Sequence, residues 1–126
     1  MVAEIDVRLV SKPEVVTDAR HALDQLADLL APEKLEEVRL VVSELVTNSI
    51  LHAGLSPEDQ VSLTIRVSAG SVRGKVCDPG PGFKAPSEPR ARSDLSGGWG
   101  LPIVETISDR WGVEQGRHTC VWFEID

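Results

Sequence analysis

The segment Ser43-Glu-Leu-Val-Thr-Asn-Ser-Ile-Leu-His-Ala-Gly54 constrains the fold of this chain more than any other stretch. Through it and just before it, Val38, Val41, Val42, Leu45, Val46, Ile50 and Leu51 recur at helical spacing and cover most of a helix circumference. A helix that is apolar nearly all round belongs in a core. Yet Glu44, Asn48 and His52 follow one another at four-residue intervals. Four residues advance a helix by about 400°, so the three side chains lie along one slowly drifting stripe on successive turns. A carboxylate in such a place is costly unless it has a partner or a cavity to face.

The rest of the chain supplies material for a sheet and further helices. Glu4 to Val10 alternates charged residues with Ile5, Val7 and Leu9, the pattern of a half-buried strand. Ser11-Lys-Pro-Glu14 has the form of a capping box and predicts a first helix that ends near Ala31. Pro32 suits the first position of a second helix, and Gly54 offers its stop. Val61, Leu63, Ile65 and Val67 alternate with polar neighbours, and after the turn Ala69-Gly-Ser71 a second apolar run spans Val72 to Cys77. Lys84 to Gly98 is polar and without hydrophobic period, which reads as a loop of functional length. A short helix through Ser108 then precedes two closing strands, Val113 to Gln115 and Thr119 to Ile125. Strands that come mostly as neighbours, interspersed with helices, predict a two-layer α/β sandwich with helices on one face of a mainly antiparallel mixed sheet.

Composition narrows the classes of function. The chain has 126 residues, 41% of them hydrophobic, the size of a single domain spanning 1–126 with a core of its own. Its formal net charge of -7 argues against direct nucleic-acid binding, which needs clustered Lys and Arg. Met1-Val-Ala-Glu-Ile-Asp lacks the basic and then apolar run of a signal peptide, and no apolar stretch reaches membrane-spanning length. The expectation is a soluble, cytoplasmic protein with no membrane partner. Cys77 and Cys120 each sit in an apolar run and are expected to be small buried thiols rather than a disulfide.

Three constellations carry candidate chemistry, and each has a plainer alternative. The Asn48 amide can serve as a hard oxygen ligand to a metal on phosphate, with Glu44 one turn away as a base. Alternatively the stripe is satisfied by local hydrogen bonds. Asp78-Pro-Gly-Pro-Gly82 puts a carboxylate at the end of a buried strand, followed by glycines that admit close backbone approach. That is what recognition of a donor such as an adenine amino group requires, whereas the alternative is a turn capped by Asp78. Gly98 and Gly100 precede a helix start, where free N–H groups favour an anion; the alternative is a flexible loop end. No Walker or Rossmann pattern is present, and no second His or Cys stands at zinc spacing from His52.

In this order, the three constellations resemble the motifs of the GHKL ATPase superfamily, which has the Bergerat fold. Glu44-x-x-x-Asn48-x-x-x-His52 looks like its N box, Asp78-Pro-Gly-Pro-Gly82 like its first glycine box, and Gly98-Trp-Gly-Leu101 like its second, with Lys84 to Gly97 as the ATP lid. The chain is most similar to small bacterial anti-sigma factor serine/threonine kinases, from roughly the first strand to Ile125. The resemblance implies ATP and Mg²⁺, with Glu44 as catalytic base and Asn48 as metal ligand. It also implies that Asp78 reads adenine, that Gly80 and Gly82 shape its pocket, that Gly98, Gly100 and Leu101 line the triphosphate, and that Thr119 sits near the nucleotide. The implied activity is phosphorylation of a STAS-domain anti-anti-sigma protein by a homodimer that also binds a sigma factor. The alternative is a nucleotide-binding regulatory module that sequesters a partner. One position departs from the pattern: some members carry an Arg just before the second glycine box, and here Ser96-Gly97 stand there, with Arg90 or Arg92 of the lid as candidate replacements. Trp99 is either a lid contact or a packing residue, and His52 is assigned to holding the helix end.

Overall fold

The structure is a computed structural model and describes residues 2–52, 58–79 and 101–126. In chain order it contains β1 (Val2–Val10), α1 (Val15–Ala22), a 3-10 turn (Leu23–Leu26), α2 (Pro32–His52), β2 (Gln60–Ser68), β3 (Ser71–Asp78), α3 (Leu101–Ile107), β4 (Arg110–Gln115) and β5 (Thr119–Ile125). The strands form one sheet in the order β1-β2-β3-β5-β4. Every neighbouring pair among the described strands is antiparallel, so the mainly antiparallel sheet expected from sequence is wholly so here. No helix of the described residues is long and apolar enough to cross a membrane.

Period-two alternation gives the sheet one apolar face and one polar face. Val61, Leu63, Ile65 and Val67 of β2, Val72 and Val76 of β3, and Val121, Phe123 and Ile125 of β5 are buried in a single cluster with residues of the helices. α1 packs on β1, and α2 packs on α1, β3 and α3. Each fully buried Val or Leu in that layer contributes about 1.5–3 kcal/mol. Phe123, the largest fully buried side chain, lies directly across from Gly74 of β3. A Cβ on Gly74 would collide with the Phe123 ring and with Ile65, so the ring takes the space that the glycine leaves.

The polar face carries ion pairs across the strands: Lys75 with Glu114 at 3.1 Å, and Arg110 with Glu124 at 3.1 Å and Asp126 at 2.5 Å. Apart from the half-buried Glu124 the partners are solvent-exposed, and each pair contributes little. Arg39 of α2 donates to Glu36 and to Asp24, both at 2.6 Å, and so ties the 3-10 turn to α2. The hydrogen bonds to Glu36 and then to Asp24 hold the guanidinium pKa above its ordinary value. Ala69 and Gly70, at φ 51° and 82°, turn β2 into β3 with two left-handed residues, as a tight antiparallel hairpin requires.

Three expectations need correction. The capping box does not form: Glu14 is the N-cap of α1 and no side chain caps it, because the Ser11 N–H instead donates to the Asp59 carbonyl at 3.1 Å and continues the β1–β2 ladder. The first helix is not continuous to Ala31. It tightens after Ala22 into 3-10 geometry, with the Ala27 N–H on the Asp24 carbonyl and the Leu29 N–H on the Leu26 carbonyl, and this turn buries Leu23, Leu26 and Leu30 together. Finally, Cys77 and Cys120 are not free thiols but a disulfide. They are direct register partners on β3 and β5, with Cα atoms 4.0 Å apart, a proximity that no local pattern in either strand announces.

Two outcomes follow from this packing. Unreduced protein will be lighter than reduced protein by two hydrogens in an intact mass measurement, and the Cys77→Ser/Cys120→Ser variant will lose about 2–4 kcal/mol in chemical denaturation. Gly74→Val will cost about 2 kcal/mol or more, read as a lower denaturation midpoint, since the fully buried ring has no room to move aside.

Candidate functional site

Four polar side chains are buried among the described residues: Asn48 (4% exposed), Ser49 (8%), Asp78 (5%) and Thr119 (3%). Three of them are residues that the sequence motifs single out. Asn48 lies on the fifth turn of α2, one turn after the half-buried Glu44. Asp78 is the last residue of β3 and Thr119 the first of β5, and the two are directly paired across the ladder. Strand alternation sends them to the helix-covered face and their neighbours Cys77 and Cys120 to the other.

A single lysine brings the helix and the strand ends into one region. Lys34, in the first turn of α2, donates from Nζ to the Gly70 carbonyl at 2.8 Å and to the Asp126 carbonyl at 2.6 Å. Gly70 precedes the start of β3 and Asp126 follows the end of β5, so the helix N-terminus sits over the sheet end opposite Asp78 and Thr119. From there α2 runs back along β3, against which it packs. From Lys34 to Asn48 the helix advances about 21 Å, and from Gly70 to Asp78 the strand advances about 26 Å. Asn48 and the pair Asp78 and Thr119 therefore occupy the same end of the molecule. Leu101 opens α3, which packs on α2.

The Asn48 amide is the chemically distinctive group. Its Nδ2 is buried and has no hydrogen-bond partner among the described residues. An unpaired buried amide costs about 1–3 kcal/mol, a cost that a bound polar group would offset. The amide oxygen is a hard, neutral donor, the type that a hydrated magnesium ion carried by phosphates accepts. Among the described residues no group of three or more His, Cys, Asp or Glu forms a metal cage, so this donor set fits an ion that arrives with other oxygen ligands. Asp78 ends a buried strand and carries a carboxylate, an acceptor-type group when ionised.

Several predicted residues lie outside the described residues: Gly54, Gly80, Gly82, Gly98, Trp99, Gly100 and the lid from Lys84 to Gly97 with Arg90 and Arg92, together with the side chains of His52 and Leu101. Ser49 and Lys34 were not singled out from sequence. Ser49 is legible in retrospect as a small polar residue on a helix apolar nearly all round, whereas Lys34 carries no local sign of partners 36 and 92 residues away.

Residues 9–125 match the histidine kinase-like ATPase domain family. An anti-sigma F factor from Clostridium botulinum is 32% identical over 123 residues, covering 90% of this chain and 86% of that protein. The serine-protein kinase RsbW of Listeria innocua is 29% identical over 119 residues, covering 84% and 76%. Among solved structures, the RsbU and RsbW domains of a Mycobacterium tuberculosis protein superpose with a TM-score of 0.69 at 18% identity, covering 98% of this chain. This chain spans 31% of that longer one, and the likeness concerns the fold. The family match over nearly the whole chain and the anti-sigma F relative agree with the arrangement of α2, β3 and β5: the chain belongs to the histidine kinase-like ATPase domain family.

Proposed function

We propose that this protein is an ATP-dependent serine/threonine kinase that acts as an anti-sigma factor and phosphorylates a STAS-domain anti-anti-sigma protein. The observation that carries the reading is the buried, unpaired amide of Asn48 at the same end of the fold as the buried Asp78, in a chain of this family. Names of relatives support it, since they include a serine-protein kinase and an anti-sigma F factor. In this reading the working form is a cytoplasmic homodimer whose partners are the STAS protein and a sigma factor.

The roles follow from the chemistry of each side chain. The Asp78 carboxylate accepts a hydrogen bond from the adenine amino group, and Thr119 beside it closes that end of the pocket. Gly80 and Gly82 shape the pocket, while Gly98, Gly100 and Leu101 line the triphosphate. The Asn48 amide oxygen would hold Mg²⁺, which when bound neutralises charge on the phosphate oxygens. Glu44 accepts the proton of the acceptor hydroxyl as its oxygen bonds to the γ-phosphorus, the bond from phosphorus to the bridging oxygen breaks, and ADP leaves. A half-buried carboxylate one turn from Asn48 has a use in phosphoryl transfer and none in mere nucleotide retention.

Asp78→Asn will weaken ATP binding about 10–100-fold in calorimetry, because an ionised acceptor becomes an amide facing the same donor. Incubation with Mg·ATP and STAS proteins from the same genome will add one phosphate to a partner, read by intact mass. In that assay Glu44→Gln will slow single-turnover transfer by about 10²–10⁴-fold, with ATP affinity held within about threefold. Tight ATP binding with no phosphate gained by any candidate, and no effect of Glu44→Gln, would assign the protein instead as a nucleotide-binding module that sequesters a partner. The Ser96-Gly97 departure is the feature that favours that outcome.

A further inference from the structure

The Cys77–Cys120 bond has a defined place on the open face of the sheet. Arg8 of β1, Ser62 of β2, Cys77 of β3, Cys120 of β5 and Glu114 of β4 are successive register partners, so they form one row across all five strands. Cys77 and Cys120 are half-buried, and Arg8 and His118 are exposed. An open cavity of about 520 Å³ is lined by both cysteines, Arg8 and His118, together with the acids Glu58 and Asp59. The bond therefore borders a hollow of the size that small molecules occupy. Arg8 engages no partner among the described residues, which leaves its charge to stabilise a thiolate in the same cavity.

Accessible disulfides are the ones that thiols reduce, whereas well-shielded structural ones resist. In exchange, a thiolate attacks one sulfur, the S–S bond breaks, and its electron pair leaves on the other sulfur, which takes up a proton. The second sulfur of a dithiol then resolves the mixed disulfide, frees the first cysteine and closes the dithiol into its own disulfide. The protein gains two electrons and two protons, and the dithiol loses the same number.

What the bond holds is the end of a ladder. The pairing of β3 with β5 runs from Val72–Ile125 to Asp78–Thr119 and stops there. On that ladder Asp78–Thr119 has a neighbouring pair on one side only, and that pair is the disulfide. Terminal pairs are where a sheet opens most easily. With the bond closed, a covalent link one residue away opposes that opening; with it reduced, the link is gone. A site whose binding-competent form is populated only part of the time binds its ligand more weakly in proportion.

We propose that Cys77 and Cys120 form a reversible thiol–disulfide site on the open face, reduced by a cellular dithiol, and that the state of the bond sets ATP affinity through the adjoining Asp78 and Thr119. The coupling rests on the ATP-binding reading above, whereas the exchange site does not. In the cytoplasm, where that reading puts the protein, a disulfide is usually of this reversible kind.

To test it, folded protein is equilibrated with mixtures of reduced and oxidised dithiothreitol, alkylated and weighed, and ATP binding to each form is measured by calorimetry. Both thiols will become alkylated without denaturant, and the ATP Kd will be about tenfold higher in the reduced form and return on reoxidation. By linkage, saturating ATP will raise by the same factor the ratio of reduced to oxidised dithiothreitol needed for half reduction. The Cys77→Ser/Cys120→Ser variant will bind ATP as the reduced parent does and ignore dithiothreitol, although the two forms of the parent decide the matter without it. A bond that yields only in denaturant overturns the exchange site. Equal ATP affinity in the two forms overturns the coupling and leaves the nucleotide reading standing, whereas no ATP binding in either form overturns that reading and the coupling with it. A reduced parent that loses its circular dichroism along with its ATP binding makes the bond a structural staple and overturns the proposal.

Discussion

The burial of α2 governs the rest of the structure. Val38, Val41, Val42 and Val46 are fully shielded, with Leu35 and Leu45 nearly so, because the helix is packed against β3 on one side and against α1 and α3 on others. The opposite side of the helix, with Glu33, Glu36, Leu40 and Leu51, meets solvent, but its shielded face offers none, so a polar residue buried there must find a partner or a ligand. Ser43 finds one in the Arg39 carbonyl at 2.7 Å. Asn48 leaves its amide nitrogen unmatched among the described residues. The apolar environment that stabilises the helix is therefore the same environment that gives one amide its chemical meaning.

The direction of α2 matters as much as its burial. Lys34 fixes the helix N-terminus to backbone carbonyls at one end of the sheet, and the near equality of a four-turn helical rise and a strand of eight residues delivers Asn48 to the other end. There β3 and β5 present Asp78 and Thr119 side by side. A carboxylate at a strand end and an amide on a helix thus lie at the same end of the two layers. Two-layer folds commonly build pockets in this way, with rigid elements holding the few polar groups that set orientation.

The two faces of the sheet divide the work. On the covered face, apolar side chains and the gap at Gly74 that admits Phe123 supply cohesion. On the open face, the Cys77–Cys120 bond links β3 to β5 directly beside Asp78 and Thr119, and the Lys75–Glu114 ion pair joins β3 to β4. The crosslink therefore holds the same two strand ends whose buried side chains form one wall of the candidate site. At the outer edges, β4 has its charges engaged within the sheet, while β1 keeps its charges unpaired among the described residues.

The sequence by itself determined the elements and much of the candidate site. Helical and strand periods are local, so the apolar circumference of α2, the alternation in β1, β2 and β5, and the position of Asp78 at a strand end were legible from residue spacing. So was the family, because its motifs are short strings in a fixed order. The failed capping box and the 3-10 turn after Ala22 show where local reading stops: Ser11 was drawn into a ladder with Asp59, a residue far along the chain, and the burial of Leu23, Leu26 and Leu30 decided the turn. Only the tertiary structure placed Cys77 against Cys120, Asp78 against Thr119 and Lys34 over Gly70 and Asp126. Strand register and helix direction are set by the packing of distant segments, and such packing leaves no period in either segment to read.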